Sequence, residues 1–268
     1  MIDFQCKPRY GYEDLLRIME LLRSPGGCPW DREQDHASLR RNLMEECCET
    51  AEAIDRGDPA ALCEELGDVL LQVVFHAQLE REQGGFTMDD VTDGICKKLI
   101  YRHPHVFGSE EVKDSAEESA RWEVMKRKEK GQTSAADAVD AVAKTLPALW
   151  RAEKIQRKAS AAGFDWPEAS GAMDKLSEEV AELREAAEDA ARPLDAPHGI
   201  REEIGDVLFV AARIAQRYGI DPEEALHAGC DKFARRFRFV EEHASEDLAS
   251  LPFAEKTALW ERAKKQES

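Results

Sequence analysis

One acidic pattern is written twice in this chain, and the repeat limits what the chain can fold into. Glu45-Glu46-x-x-Glu49 precedes Glu64-Glu65-x-x-Asp68, and Glu178-Glu179-x-x-Glu182 precedes Glu202-Glu203-x-x-Asp206. Carboxylates three or four residues apart share one face of a helix, so each half offers two helices with a row of oxygens apiece. Two such rows facing each other across a bundle repel unless a cation lies between them. A hard divalent ion that takes oxygen ligands is the natural counter-ion. Each half therefore predicts a magnesium site between paired helices.

The repeat extends beyond the acids. Gly27-Cys28-Pro29-Trp30 matches Gly163-Phe164-Asp165-Trp166, Lys98-x-x-x-Arg102 matches Lys232-x-x-x-Arg236, and Trp122-x-x-x-Lys126 matches Trp260-x-x-x-Lys264. The offsets are 136 for the early Trp (166 − 30), 133 for Glu46 to Glu179, 138 for Asp68 to Asp206, 134 for Lys98 to Lys232 and 138 for the late Trp. A nearly constant offset in preserved order means duplication of one module. The expected division is a first module at 1–130, a small and polar connection at 131–147, and a second module at 148–268.

A chain of 268 residues is long enough for two such modules, each with its own core. No apolar run is long enough to span a bilayer and the N-terminal residues lack a signal-peptide core, so a cytoplasmic protein is expected. The net charge of −18 argues against a general nucleic-acid surface, which needs clustered cations. Seven cysteines, an odd number with no C-x-x-C pair, read as small buried hydrophobes rather than disulfides or zinc ligands.

Helical period and punctuation run through almost every segment. Expected helices cover Asp14 to Arg23, Leu39 to Ile54, Pro59 to about Gln83, Met88 to His103, and a fifth opened by the capping box Ser115-x-x-Glu118 that carries Trp122 and Lys126. In the second half they cover Ala148 to Ala161, about 171–191, about 199–218, Pro222 to about His243, and a last helix from Pro252. Hairpin signals and alternating strands are missing, so the fold class is all-α.

In the second module Glu179 and Glu182 share one helix face and Glu203 and Asp206 the other, and these four are the expected Mg²⁺ ligands. Glu178 and Glu202, one residue aside, would orient groups around the metal or accept a proton from the attacking water. Glu-rich helix faces are commonly just solvated. Here, however, Asp206 opens the apolar run Val207-Leu208-Phe209-Val210, and Asp68 opens Val69-Leu70-Leu71. A carboxylate against buried surface is costly without a cation. Gly67 and Gly205, mid-helix just before each Asp, suggest a close approach by a helix or ligand. Lys232 and Arg236 suit polyphosphate oxygens, with Lys264 as a further phosphate contact and Trp260 as an aromatic wall for a base. A longer Pro-containing connection, 190–197, joins the second pair of acidic helices and reads as a surface insertion.

Together Gly27-Cys28-Pro29-Trp30-Asp31-x-Glu33-Gln34, the paired acidic helices, Arg102-His103-Pro104-His105-Val106-Phe107, Lys154-Ile155-Gln156 and Gly163-Phe164-Asp165-Trp166 resemble the two-module form of the MazG nucleoside triphosphate pyrophosphohydrolases. The resemblance spans nearly the whole chain. It implies hydrolysis of nucleoside triphosphates, ATP among them, to monophosphate and pyrophosphate, with Mg²⁺ (or Mn²⁺ in its place) and a homodimer of helical bundles. The implied role is nucleotide-pool cleansing or alarmone control. The family's metal ligands fall on Glu179, Glu182, Glu203 and Asp206, and its nucleotide contacts on Glu178, Glu202, Lys232, Arg236, Trp260 and Lys264. Catalysis is expected in the second module, yet a second site is open to the first, which holds Glu45, Glu46, Glu49, Glu65, Asp68, Lys98, Arg102, Trp122 and Lys126. A narrow-specificity dNTP pyrophosphatase and a non-catalytic regulatory or dimerisation protein are the alternatives. A di-iron bundle would need Glu-x-x-His, and none of the four acidic motifs has His at that spacing.

Overall fold

The computed structural model describes residues 4–109, 114, 121–122, 124–126, 129, 131–189 and 193–266. Every regular element among them is a helix: α1 Tyr12–Arg23, α2 Pro29–Glu33, α3 His36–Arg56, α4 Pro59–Glu82, α5 Met88–Arg102, α6 Pro104–Phe107, α7 Ala135–Asp140, α8 Ala148–Ala161, α9 Ala169–Glu188, α10 Ile200–Arg217, α11 Pro222–Glu242 and α12 Phe253–Gln266. They divide into two compact units, Met1–Trp122 and Glu123–Ser268.

The helix ends follow from short-range chemistry. Asp35 accepts from Ser38 N at 2.7 Å to start α3, which stops at Gly57 in the left-handed region (φ 63°). Asp58 then caps α4 with Pro59 at its first position, and Asp221 with Pro222 repeats the device for α11. Because only Gly57 and Asp58 separate α3 from α4, the two must run antiparallel. This pair and α9 with α10 make the most extensive helix packing in their units.

The core of the first unit gathers Met19, Leu39, Val74, Phe75 and Leu79 from α1, α3 and α4. In the second, Val240, Leu251 and Leu259 form one cluster, while the small buried Ala172, Ala186 and Ala212 lie on the acidic helices α9 and α10.

Three expectations change. Residues 131–147 are not an open connection: Ser134 caps α7 through Asp137, Ala138 and Val142 are buried, and α7 packs on α8 within the second unit. The cysteines are unpaired, but six are exposed and Cys28 is half-buried. Helical register explains this on α3, where positions 39, 42, 43, 46, 50 and 53 face inward and Cys47 and Cys48 fall beside that stripe. A Cβ at Gly67 or Gly205 would meet nothing within 4 Å, so close packing against the described residues is not why glycine stands there. The capping box Ser115-x-x-Glu118 and residues 190–192 of the connection lie outside the described residues.

Candidate active site

In the second unit α9 and α10 bring together one carboxylate oxygen each from Glu179, Glu182 and Glu203, all within 4.8 Å of one another. Glu179 is 5% exposed and Glu203 only 2%, so two of the three charges have left water. Asp206 lies alongside rather than within this trio. Burial, and then the charges of Glu179 and Glu202, push its carboxyl above the ordinary aspartate range. Glu182 is pushed up in the same way, by desolvation first and Glu179 second. One oxygen of Glu203, Oε2, is buried with no hydrogen-bond partner.

This anionic oxygen set calls for a cation, and part of the answer is a side chain outside the expected set. Lys175 Nζ sits 2.8 Å from Glu179 and 2.9 Å from Glu178, and these contacts hold its pKa above the usual lysine range. A single ammonium cannot satisfy three or four carboxylates, and the orphaned Glu203 oxygen marks what is left over. The donors are all hard oxygens, which fits Mg²⁺ better than a thiolate- or imidazole-seeking metal.

The two flanking acids have local partners. Glu178 pairs with Lys175, and Glu202 accepts from the His198 backbone N–H at 2.8 Å, bracing the start of α10. His198 holds a positive φ of 56° there, with its Nδ1 3.5 Å from Glu203.

The first unit repeats the arrangement less deeply. Glu46, Glu49 and Glu65 also place oxygens within 4.8 Å of one another, but Glu46 and Glu65 are half-buried and Glu49 is exposed. Burial raises Glu46 first, followed by the charges of Asp68, Glu49 and Glu65. Glu45 is exposed and Asp68, half-buried, lies beside the trio. The residue matching Lys175 is Asn42 (175 − 133), and among the described residues no ion pair reaches Glu46, Glu49 or Glu65. That Lys-to-Asn difference was the available signal for Lys175: it stands four residues before Glu179, on the acidic face.

The basic and aromatic residues form separate groups. Arg236 lies 6.0 Å from the Trp260 ring centre, and Phe233 packs on Trp260 at 5.2 Å, where α11 meets α12. Lys232 is exposed, and Lys264 pairs with Glu261 at 2.6 Å. Arg102 is buried with its guanidinium 5.2 Å from the Trp122 ring, a packed cation–π contact rather than a solvent-facing phosphate hook. Lys98 is exposed on α5, and Lys126 lies in helical backbone.

A model of the MazG nucleotide pyrophosphohydrolase domain matches twice, at residues 34–107 and 168–240, the stretches that hold the two acidic clusters. The chain belongs to the MazG family. It is 44% identical to the nucleoside triphosphate pyrophosphohydrolase/pyrophosphatase MazG of Thermotoga maritima over 257 residues, covering 94% of this chain and 95% of that protein. Similarity to the nucleoside triphosphate pyrophosphohydrolase of Escherichia coli K12 is 40% over 261 residues, 94% of this chain and 97% of that one. The tandem all-α architecture and the double match agree on a duplicated module.

Proposed function

We propose that the chain is a magnesium-dependent enzyme that hydrolyses nucleoside triphosphates to nucleoside monophosphate and pyrophosphate, with the working site in the second unit. The observation that carries this is the trio of Glu179, Glu182 and Glu203, two of them buried, opposed across α9 and α10 in a chain of the MazG family. Glu179, Glu182, Glu203 and Asp206 would hold the ion. When bound, Mg²⁺ supplies a Lewis acid that orients the triphosphate, lowers the pKa of water and offsets charge on the leaving pyrophosphate.

The chain's own residues do the rest. Lys175, held by Glu178 and Glu179 beside the acidic trio, would place its ammonium against a phosphate oxygen of a triphosphate bound there. Glu178 and Glu202 each engage one oxygen locally, at Lys175 and at the His198 N–H, and keep the other to accept a proton from the attacking water. Lys232, Arg236 and Lys264 form the basic flank for the remaining phosphate oxygens. The first unit, shallower and without the lysine, serves as a binding or structural copy.

A homodimer completes the picture. Both units leave the same apolar face open: Leu66 and Leu70 on α4 match Ile204 and Leu208 on α10 at an offset of 138, and Leu99 on α5 matches Phe233 on α11 at 134. All six are exposed large hydrophobics, which a second copy would cover. No helix among the described residues is long and apolar enough to cross a membrane, in keeping with a cytoplasmic nucleotide-cleansing role.

The test is pyrophosphate release from a panel of natural and modified triphosphates, with and without Mg²⁺. Release that requires the ion supports the reading; its absence from every triphosphate with Mg²⁺ present would leave a regulatory helical protein.

A further inference from the structure

The stretch that leads into α10 closes on a tight turn. Gly199 N–H donates to the Ala196 carbonyl at 2.8 Å, with Pro197 and His198 between them. Proline in the second place and a positive φ in the third make this a type II turn, whose third place ordinarily falls to glycine or asparagine. Here it is His198, at φ 56°, and among the described residues it alone, apart from glycines, has a positive φ. The chain spends its glycine one place later: Gly199 is buried, and a Cβ on it would come within 2.7 Å of the Ala196 carbonyl oxygen and 2.8 Å of that of Leu194. Sterics alone do not favour histidine at the strained place, and an outlier of this kind points to use.

The surroundings of His198 say what that use is. Its backbone N–H is held by Glu202 at 2.8 Å, which ties the turn to the first turn of α10. Its ring faces the next residue of the acidic motif, with Nδ1 3.5 Å from Oε1 of Glu203. That contact is long for a hydrogen bond, and a small rotation of the exposed ring closes it. Because a carboxylate without its proton can only accept, the hydrogen between them belongs to Nδ1 of His198. Asp206 feels the same ring: burial raises its carboxyl most, and His198 pulls the other way. The second oxygen of Glu203, Oε2, is the buried one with no partner.

The first unit has no counterpart. There α4 starts from Asp58 and Pro59, and the position matching His198 is Ala60 (198 − 138), already inside that helix.

We propose that His198 is a positioning residue for the metal site of the second unit, its Nδ1–H holding Oε1 of Glu203 and leaving Oε2 alone to ligate the ion. The proposal rests on the reading of the preceding subsection and adds selectivity to it. A carboxylate restricted to one oxygen suits the compact octahedral shell of Mg²⁺, whereas Ca²⁺ readily takes both oxygens of a carboxylate. The strained turn thus favours the smaller ion.

The experiment is calorimetric titration of the full chain with Mg²⁺ and with Ca²⁺, beside urea unfolding without metal. The parent carries Glu46→Gln, so that only the trio of the second unit titrates, and His198→Gly and His198→Asn are made in it. Glycine and asparagine both suit the third place of the turn, and the asparagine amide nitrogen can stand where Nδ1 does, so only glycine deletes the donor. His198→Gly weakens Mg²⁺ about tenfold, the usual loss when a group that orients a metal ligand is removed. It binds Ca²⁺ almost as the parent does, and His198→Asn recovers most of the Mg²⁺ affinity. Both variants unfold at the same urea concentration as the parent or higher, because the strain is relieved. The proposal is overturned if His198→Gly binds Mg²⁺ as tightly as the parent, if His198→Asn binds it as weakly as His198→Gly, if Ca²⁺ loses as much as Mg²⁺ in His198→Gly, or if both variants unfold at lower urea. A parent that binds no Mg²⁺ at all would sink the metal site itself, and this role with it.

Discussion

Replacing Glu203 by Gln keeps the shape of the side chain and removes one of three crowded charges. Glu203 and Glu179 are both nearly fully buried, and their oxygens approach within 4.8 Å. At an effective dielectric of about 20, two unit charges at that separation repel by about 3 kcal/mol. Lys175 already offsets part of the charge on Glu179, and salt screens more, so the net relief is about 1 kcal/mol. In magnesium-free buffer Glu203→Gln therefore unfolds at higher urea than wild type, and the transition that moves is that of the second unit. Added Mg²⁺ at about a hundred times its Kd stabilises that transition in wild type by about 2.7 kcal/mol. The variant, having lost a ligand, gains little. Pyrophosphate release falls by more than about a hundredfold, since even partners one shell further from a metal cost up to that much. Equal magnesium stabilisation of the Glu203→Gln and wild-type transitions would refute the site.

Lys175→Met removes the only basic side chain paired with Glu179 among the described residues; kcat/KM should fall about ten- to hundredfold, the worth of a contact to a charged phosphate, and an unchanged value would make the lysine purely structural. Asp165→Asn leaves Arg213 buried without its carboxylate and should cost about 3 kcal/mol in urea unfolding of the second unit. Burial raises the Asp165 carboxyl, but its hydrogen bonds from Arg213 and Ser160 outweigh this and hold it below the ordinary value of 3.8. The contribution of this pair is thus fully present above about pH 4 and lost as pH falls through the folded-state value, so acid unfolding of Asp165→Asn should lack that component. Glu46→Gln and Asp68→Asn should leave pyrophosphate release within about twofold of wild type, whereas a loss above about tenfold would make the first unit a working site.

The acids were legible because the helical period puts them on one face and duplication shows the pattern twice. Helix ends such as Gly57, Asp58-Pro59 and Asp221-Pro222 were legible for a similar reason, since caps and punctuation act within a few residues. What escaped depends on the partner helix. Lys175 is an ordinary exposed-face lysine until α10 folds against α9 and buries Glu179 beside it. Gln156 carries no sign of its orphaned oxygen until α10 offers it the Phe209 carbonyl. Residues 131–147 read as a connection because small residues dominate them, and only packing on α8 makes Ala138 and Val142 core. The cysteines misled because composition reports a preference for burial, while the phase of each helix decides it.

Lys175 and Asn42 divide the two copies more sharply than any acid does. One half of the molecule brings its own positive charge to the anionic trio. The sister half has no ion pair to its trio among the described residues, and only the nearby charge of Arg56 offsets Glu65. A gene duplication that began with two equivalent copies has thus left one whose acids are braced by a neighbouring lysine and one whose acids are not.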